Sequence, residues 1–75
     1  MSDEPRVVYE FVKNTREIVR ASFVFYGGHD LADIRVHVAE RPTKKGLSLR
    51  LVDLPELRNA VEALIAAVEA EEASQ

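Results

Sequence analysis

The chain has no cysteine and no tryptophan, and it has three glycines and three prolines among its 75 residues. The lack of cysteine excludes a disulfide framework, a thiolate zinc site and a cysteine nucleophile. No apolar run approaches the ~20 residues that span a bilayer, and the first residues, MSDEPR, lack the apolar core of a signal peptide. We therefore expect a cytoplasmic protein without a membrane partner.

The length of the chain indicates one small domain. A chain of this size buries roughly 60 % of the surface that its unfolded form exposes, so a second subunit would strengthen the core. We expect flexible tails at residues 1–5 and 71–75 and one folded domain at residues 6–70.

The formal net charge of −3 hides an uneven distribution of charge. Residues 1–4 contain two acidic side chains, whereas residues 5–50 contain nine Lys or Arg and five Asp or Glu. Residues 51–75 contain Arg58 and six acidic residues, so the three local charges are −2, +4 and −5. A polyanion would be attracted to the central part and repelled by the C-terminal part.

The stretch from Glu17 to Leu51 begins with two long strands, which are typical of a β-hairpin with a tight turn at Gly27–Gly28, because glycine accepts the positive φ angles of such a turn. The predicted facing pairs are Tyr26–His29, Val24–Leu31, Ser22–Asp33 and Arg20–Arg35. Side chains alternate between the two faces of a strand, so this register collects apolar residues on one face. Those residues are Val19, Ala21, Phe23, Phe25, Ala32, Ile34 and Val36.

A first strand is predicted at Arg6–Lys13, which is rich in β-branched and aromatic residues. A two-residue turn at Asn14–Thr15 would place Tyr9 opposite Arg20, on the polar face. The same register puts Glu10 on the apolar face.

The third strand is predicted to run from Asp30 to Glu40 and to be broken by Arg41–Pro42–Thr43, because proline cannot donate to the ladder. The fourth strand is predicted at Lys45–Leu51. Its inward residues are Leu47, Leu49 and Leu51, and its outward residues are Ser48 and Arg50.

A helix is predicted from Asp53, which resembles the first residue of a capping box with Glu56 three positions later. Pro55 falls in the first turn, where its missing N–H costs nothing. The predicted apolar stripe is Leu54, Leu57, Val61, Leu64, Ile65 and Val68. The fold class is therefore α+β, a β-β-β-β-α order in which the helix covers one face of a four-stranded curved antiparallel sheet.

Small residues widen the apolar surface of this helix beyond what one sheet needs, which favours a homodimer. The expected interface residues are Leu57, Ala60, Val61, Leu64, Ala67 and Val68. Alternatively, the alanines are there because alanine is a good helix former.

The other face of the sheet is polar, and we expect no catalysis there. Asp33 and His37 would lie ~13 Å apart on a strand, and the two histidines lack the clustered spacing of a metal site. Arg20 beside Arg35, with Tyr26 at the rim, is instead typical of surfaces that bind single-stranded nucleic acid through phosphates and stacked bases. The alternative is a solvated face whose arginines pair with Asp33 or Glu17. We expect no enzyme activity, cofactor or metal.

Residues 17–68 resemble the single-stranded-DNA-binding C-terminal domain of the transcriptional coactivator family called positive cofactor 4, which is distantly similar to the plant Whirly proteins. The motifs that carry the resemblance are Tyr26-Gly27, Asp33-Ile34-Arg35, Lys44-Lys45-Gly46-Leu47-Ser48-Leu49 and a helix that begins at Pro55-Glu56. The chain departs from the family at Gly27 and His29, where the family has lysines, and at Val38, where it has tryptophan. We also expect it to lack the long Ser/Lys-rich regulatory tail of the family's eukaryotic members.

The resemblance implies a homodimer with two channels for single strands, in which Tyr26 stacks on a base, Arg35 contacts the strand and Lys45, beside Lys44, contacts phosphate. The full set of expected contact residues is Tyr9, Arg20, Tyr26, His29, Arg35, Lys44, Lys45 and Arg50. It implies a coactivator-like role in transcription, or a role in replication or repair, with that machinery as partner. The protein would be associated with the nucleoid in the cytoplasm, or nuclear in a eukaryote.

Two alternatives remain, an RNA-binding protein and a protein-interaction module of the same fold. DNA binding requires Tyr26, Arg35 and Lys45 to be exposed and convergent. A docking module would instead pair Arg35 with Asp33 or Glu17.

Overall fold

The computed structural model describes residues 6–73 as one antiparallel sheet followed by one helix, which confirms the β-β-β-β-α order. The elements are β1 (Arg6–Val12), β2 (Glu17–Tyr26), β3 (His29–Val38), β4 (Arg41–Arg50), a 3₁₀ turn (Leu51–Asp53) and α1 (Leu54–Ala73). The strands lie side by side in chain order. The expected tails at residues 1–5 and 74–75 lie outside the described residues, and residues 71–73 belong to the helix.

The hairpin of β2 and β3 has the predicted register at every position. Gly27 and Gly28 have φ angles of 62° and 82°, as the two-residue turn requires. One side of the hairpin, the apolar face, carries Val19, Ala21, Phe23, Phe25, Ala32, Ile34 and Val36. The other side, the groove face, carries Arg20, Ser22, Val24, Tyr26, Asp33, Arg35 and His37.

The predicted register of β1 is wrong by one residue, because the turn is longer than two residues. The side-chain oxygen of Asn14 accepts hydrogen bonds from the backbone N–H groups of Arg16 and Glu17, both at 2.9 Å. This arrangement extends the connection over residues 13–16. As a result, Glu10 lies opposite Arg20, and Tyr9 lies opposite Ala21 on the apolar face.

The predicted position of the turn between β3 and β4 is also wrong. It consists of Ala39 and Glu40, with φ angles of 51° and 67°, and β4 begins at Arg41. Pro42 lies within β4, opposite His37, and it is tolerated because β4 is an edge strand.

A bulge interrupts the pairing of β3 with β4. Arg35 pairs with Gly46 and His37 with Pro42, so residues 43–45 lie opposite Val36 alone. The hydroxyl of Thr43 donates to the Val36 carbonyl at 2.8 Å and stabilises this irregular stretch. Beyond it, Leu47 and Leu49 lie on the apolar face as predicted, whereas Leu51 has left the sheet.

The helix does not cover the sheet of its own chain, contrary to the expectation. None of its residues is buried, and Leu64 is 67 % exposed. Among residues 6–73, the buried apolar residues are Ala32 and Val36, at 7 % and 9 % exposure, and no large side chain is fully buried. The molecule is accordingly long and thin, 50 × 32 × 18 Å, and no element within residues 6–73 covers the helix stripe or the apolar face.

Candidate nucleic-acid interface

The groove face forms an open depression of about 520 Å³ across the middle strands. Its floor contains Ser22, which is buried, and its walls include Arg20, Arg35, His37 and Glu40. These side chains converge because the cross-strand register places Arg20 directly opposite Arg35 and Ser22 directly opposite Asp33.

Arg20 is held by two carboxylates. Its Nε donates to Glu10 Oε2 at 2.7 Å, and its Nη2 lies 3.3 Å from Glu40 Oε2. The hydrogen bond that Arg20 donates to the Glu10 carboxylate is the main reason that the pKa of Arg20 is raised. The side chain is 14 % exposed. The two acids offset the repulsion that two facing arginines would otherwise produce.

Arg35 is held by its neighbour Asp33. Its Nη2 donates to Asp33 Oδ1 at 3.0 Å, and its Nη1 donates to the Thr43 carbonyl at 2.9 Å. The hydroxyl of Ser48 donates to Asp33 Oδ1 at 2.7 Å. Burial acts to raise the pKa of Asp33, but the hydrogen bonds from Arg35 and Ser48 outweigh it and leave that pKa lowered. This network fastens β3 to β4, and it is the pairing expected of a docking module.

The aromatic side chain at the hairpin tip is open to solvent. Tyr26 is 78 % exposed and lies opposite His29, which is also exposed. Arg50 lies on the same face, opposite Leu31. Its guanidinium donates to both carboxylate oxygens of Asp53, at 3.0 and 3.1 Å. The hairpin tip therefore presents two exposed rings that can stack on bases. Near them lies Arg50, whose side chain is exposed although it is paired with Asp53.

Two predicted contact residues lie on the opposite side of the sheet. Tyr9 is on the apolar face, because the register of β1 is shifted. Lys45 lies on the side of Leu47, and its Nζ is 3.6 Å from Glu17 Oε2. Glu17 is nine residues from Tyr26 along β2, roughly 30 Å. The expected convergence of Tyr26, Arg35 and Lys45 is therefore wrong within one chain.

The end of the sheet that holds the β1–β2 and β3–β4 turns is rich in cations. This turn-end cluster consists of Lys13, Arg16, Arg41, Lys44 and Lys45, all of which are exposed. Within residues 6–73, Arg16, Arg41 and Lys44 form no ion pair. Lys13, Arg16 and Arg41 were not predicted as binding residues, although the antiparallel strand order alone places both turns at one end.

Other kinds of site are not evident in the part of the chain that the structure describes. Residues 6–73 contain no group of three His, Asp or Glu side chains placed to hold a metal ion. The same residues include no helix whose length and hydropathy would let it traverse a bilayer.

No protein-family model, no curated protein and no solved structure matches this chain. The resemblance to the positive cofactor 4 family therefore depends on the motifs quoted above. The function has to be argued from the sheet and its charges.

Proposed function

We propose that this protein binds single-stranded DNA as a homodimer and with little dependence on sequence. The observation that carries the proposal is the groove face, where the exposed rings of Tyr26 and His29 share one side of the sheet with Arg20 and Arg35. Exposed rings can stack on bases of any identity, and guanidinium groups attract phosphates. The charge of +4 over residues 5–50 supports the same ligand class.

The dimer is proposed because two apolar surfaces lie uncovered in one chain. The helix stripe includes Val61, Leu64 and Val68, and the apolar face of the sheet is the other surface. The 20-residue helix is about 30 Å long, and a 10-residue strand is about 33 Å long. The helix of one copy can therefore span the sheet of another, with Leu57, Ala60 and Ala67 in the same contact.

Within this proposal, the resemblance to the coactivator family suggests a role in transcription, or else in replication or repair. The corresponding partners would be components of those machineries. The place of action would be the nucleoid-containing cytoplasm, or the nucleus if the protein is eukaryotic.

A second candidate function is protein docking, and one observation favours it. Arg35 is paired with Asp33, and Arg20 is paired with Glu10 and Glu40. Arginines that are already neutralised attract phosphate less strongly, so the groove could instead receive a polar partner protein.

The two functions are separated by fluorescence anisotropy with a labelled ~20-mer single strand, its matching duplex and an RNA of the same sequence, at low and moderate salt. Preference for single-stranded DNA, with affinity that falls steeply as salt rises, is the expected result. Stronger binding of the RNA would change the ligand to RNA. Lack of binding even at low salt would favour docking.

The stacking role is tested with Tyr26→Ala, which we expect to weaken single-strand binding by about 1–3 kcal/mol. Tyr26→Phe is the matched control, because it removes the hydroxyl and keeps the ring that would stack on a base. Equal affinities of Tyr26→Ala and the wild type would contradict stacking at the tip.

A further inference from the structure

We propose a second phosphate-binding site, separate from the groove, in the pocket between the β1–β2 turn and β4. Its ligand is a phosphate group, free or as a phosphodiester of a single strand that extends beyond the groove. The use of this pocket by nucleic acid rests on the proposed function, whereas its affinity for phosphate does not. The donors are Lys13, Arg16 and Lys45, with the hydroxyl of Thr15.

The pocket is a concave space of about 480 Å³. The turn supplies Asn14, Thr15 and Arg16 on one side, and Lys45 supplies the other side. The longer turn creates this wall, because the Asn14 side chain folds residues 14–16 over the end of β2.

The floor of the pocket is a single carboxylate that is surrounded by cations. Glu17 Oε1 accepts a hydrogen bond from the Asn14 amide at 2.7 Å. Lys13 Nζ lies 3.5 Å from Oε1, and Lys45 Nζ lies 3.6 Å from Oε2. The ammonium groups are thus at the long limit of a hydrogen bond, and Lys45 is 71 % exposed. Each ammonium retains donors for a further acceptor.

The charges favour an anion. The pocket has three cations, Lys13, Arg16 and Lys45, and one carboxylate, Glu17. Its charge is therefore about +2 at neutral pH. Arg41 adds a further positive charge on the same side of the sheet, because it lies opposite Val38 and Val38 lies opposite Glu17. Two strand spacings separate Arg41 from Glu17, roughly 10 Å.

Phosphate fits these donors better than a single carboxylate does. A phosphate group presents several acceptor oxygens at once, and it can therefore accept from Arg16, from Lys45 and from a hydroxyl together. Glu17 holds the lysines in place and also competes with the ligand for them. Removing its charge is therefore expected to strengthen phosphate binding, which is an outcome that a merely structural carboxylate would not produce.

The first test is titration of the protein with inorganic phosphate at constant ionic strength, followed by backbone amide NMR shifts. We expect saturable shifts at Thr15, Arg16 and Lys45. Arg16→Ala and Lys13→Ala should each weaken phosphate binding by about threefold to tenfold, and Glu17→Gln should tighten it. Arg58→Ala is the matched control for loss of one cation, because Arg58 lies on α1 beside Glu62. Circular dichroism of each variant checks that the fold is retained.

The second test measures the salt dependence of affinity for a ~20-mer single strand. Arg16→Ala and Lys13→Ala should each reduce the slope of log K against log salt by about 0.7, the value for one lost phosphate contact on a single strand. Arg58→Ala should leave the slope unchanged.

The outcomes separate the two proposals. Phosphate shifts without any binding of single strands would sustain the pocket and overturn the proposed function. Binding of single strands with unchanged slopes in both variants would overturn the use of the pocket by nucleic acid. The absence of saturable phosphate shifts in the wild type and in Glu17→Gln would overturn the pocket itself.

Discussion

The groove face and the turn end of the same sheet use positive charge in different ways. On the groove face, Arg20 and Arg35 are mostly buried, at 14 % and 22 % exposure, and they face three carboxylates, those of Glu10, Asp33 and Glu40. At the turn end there are five exposed Lys and Arg residues, of which Lys13 and Lys45 lie beside Glu17. The exposed positive charge is therefore concentrated at the turn end, which includes the start of β4, whereas the groove arginines are paired with carboxylates. A count of cations in the sequence does not distinguish the two situations.

The largest expected effect is at Gly46, where the two regions meet. Gly46 has a φ of 156° and lies opposite Arg35, and a Cβ there would lie 2.7 Å from the Arg35 Cα. Backbone cannot yield as a side-chain end does, so Gly46→Ala should lower the free energy of unfolding by about 3 kcal/mol. Urea unfolding measures this change. Gly28→Ala at the open tip meets no atom and should cost only the strain of its positive φ, about 1–2 kcal/mol, which makes it the comparison. A Gly46 variant as stable as the wild type would show that the bulge adapts freely.

The next largest effect contrasts a groove arginine with a turn-end lysine. Arg35→Ala leaves Asp33 without its ion-pair partner and should lower the free energy of unfolding by about 2 kcal/mol. Lys44→Ala should leave stability within about 0.5 kcal/mol of the wild type and reduce the salt dependence of DNA binding. Urea unfolding and anisotropy on the same samples give both quantities. If Arg35→Ala and Lys44→Ala lowered the free energy of unfolding equally, the groove arginine would be no more important for stability than the turn-end lysine.

Acid should loosen the groove when Asp33 becomes protonated. The pKa of Asp33 is lowered from its ordinary value of 3.8 in the folded state. Its contribution to stability is therefore fully present above pH 3.8 and is lost as the pH falls through the lower folded pKa. Between pH 6 and pH 2, the free energy of unfolding should fall less steeply in Asp33→Asn than in the wild type. Parallel curves of unfolding free energy against pH would show that other carboxylates cause the loss of stability in acid.

The smallest effect is expected at Glu40, which can be removed from the groove without disturbing a strand. Its carboxylate is exposed and accepts from Arg20 at long distances of 3.3 and 3.4 Å. Glu40→Gln should tighten single-strand binding by about threefold at low salt, because one negative charge leaves the path of the phosphates. Glu62→Gln on α1 controls for a general change in net charge. Weaker binding by the Glu40 variant would mean that Glu40 positions Arg20 for the ligand.

The sequence predicted the central hairpin well because two independent signals agree there. The Gly27–Gly28 turn and the alternation of apolar residues require the same register. The other turns lacked such agreement. The positive φ angles of Ala39 and Glu40 could not be predicted from the types of these residues. Pro42 was interpreted as the end of a strand, although an edge strand accepts proline.

The candidate site was predicted in part for the same reason. One face carries Arg20, Tyr26 and Arg35, as predicted, because the hairpin has the register that the sequence predicts. Tyr9 was misplaced together with β1, and the favourable position of Glu10 beside Arg20 became possible only with the longer turn. Lys45 shares the alternation of Leu47, so its direction could have been deduced from the sequence. The pairing of Arg35 with Asp33 was one of the stated alternatives. The pairing of Arg20 with Glu10 and Glu40 could not be predicted, because it depends on the register of β1 and on the position of the β3–β4 turn.

The uncovered helix has one further consequence, for hydrogen exchange. Within residues 6–73, the second half of α1 buries no side chain, and helices in proteins take most of their stability from the packing of an apolar face. Its amide protons should then exchange with solvent almost as fast as those of a free peptide, while the amides of β2 and β3 remain protected. The exchange rate of α1 therefore reports directly on whether another surface covers the helix.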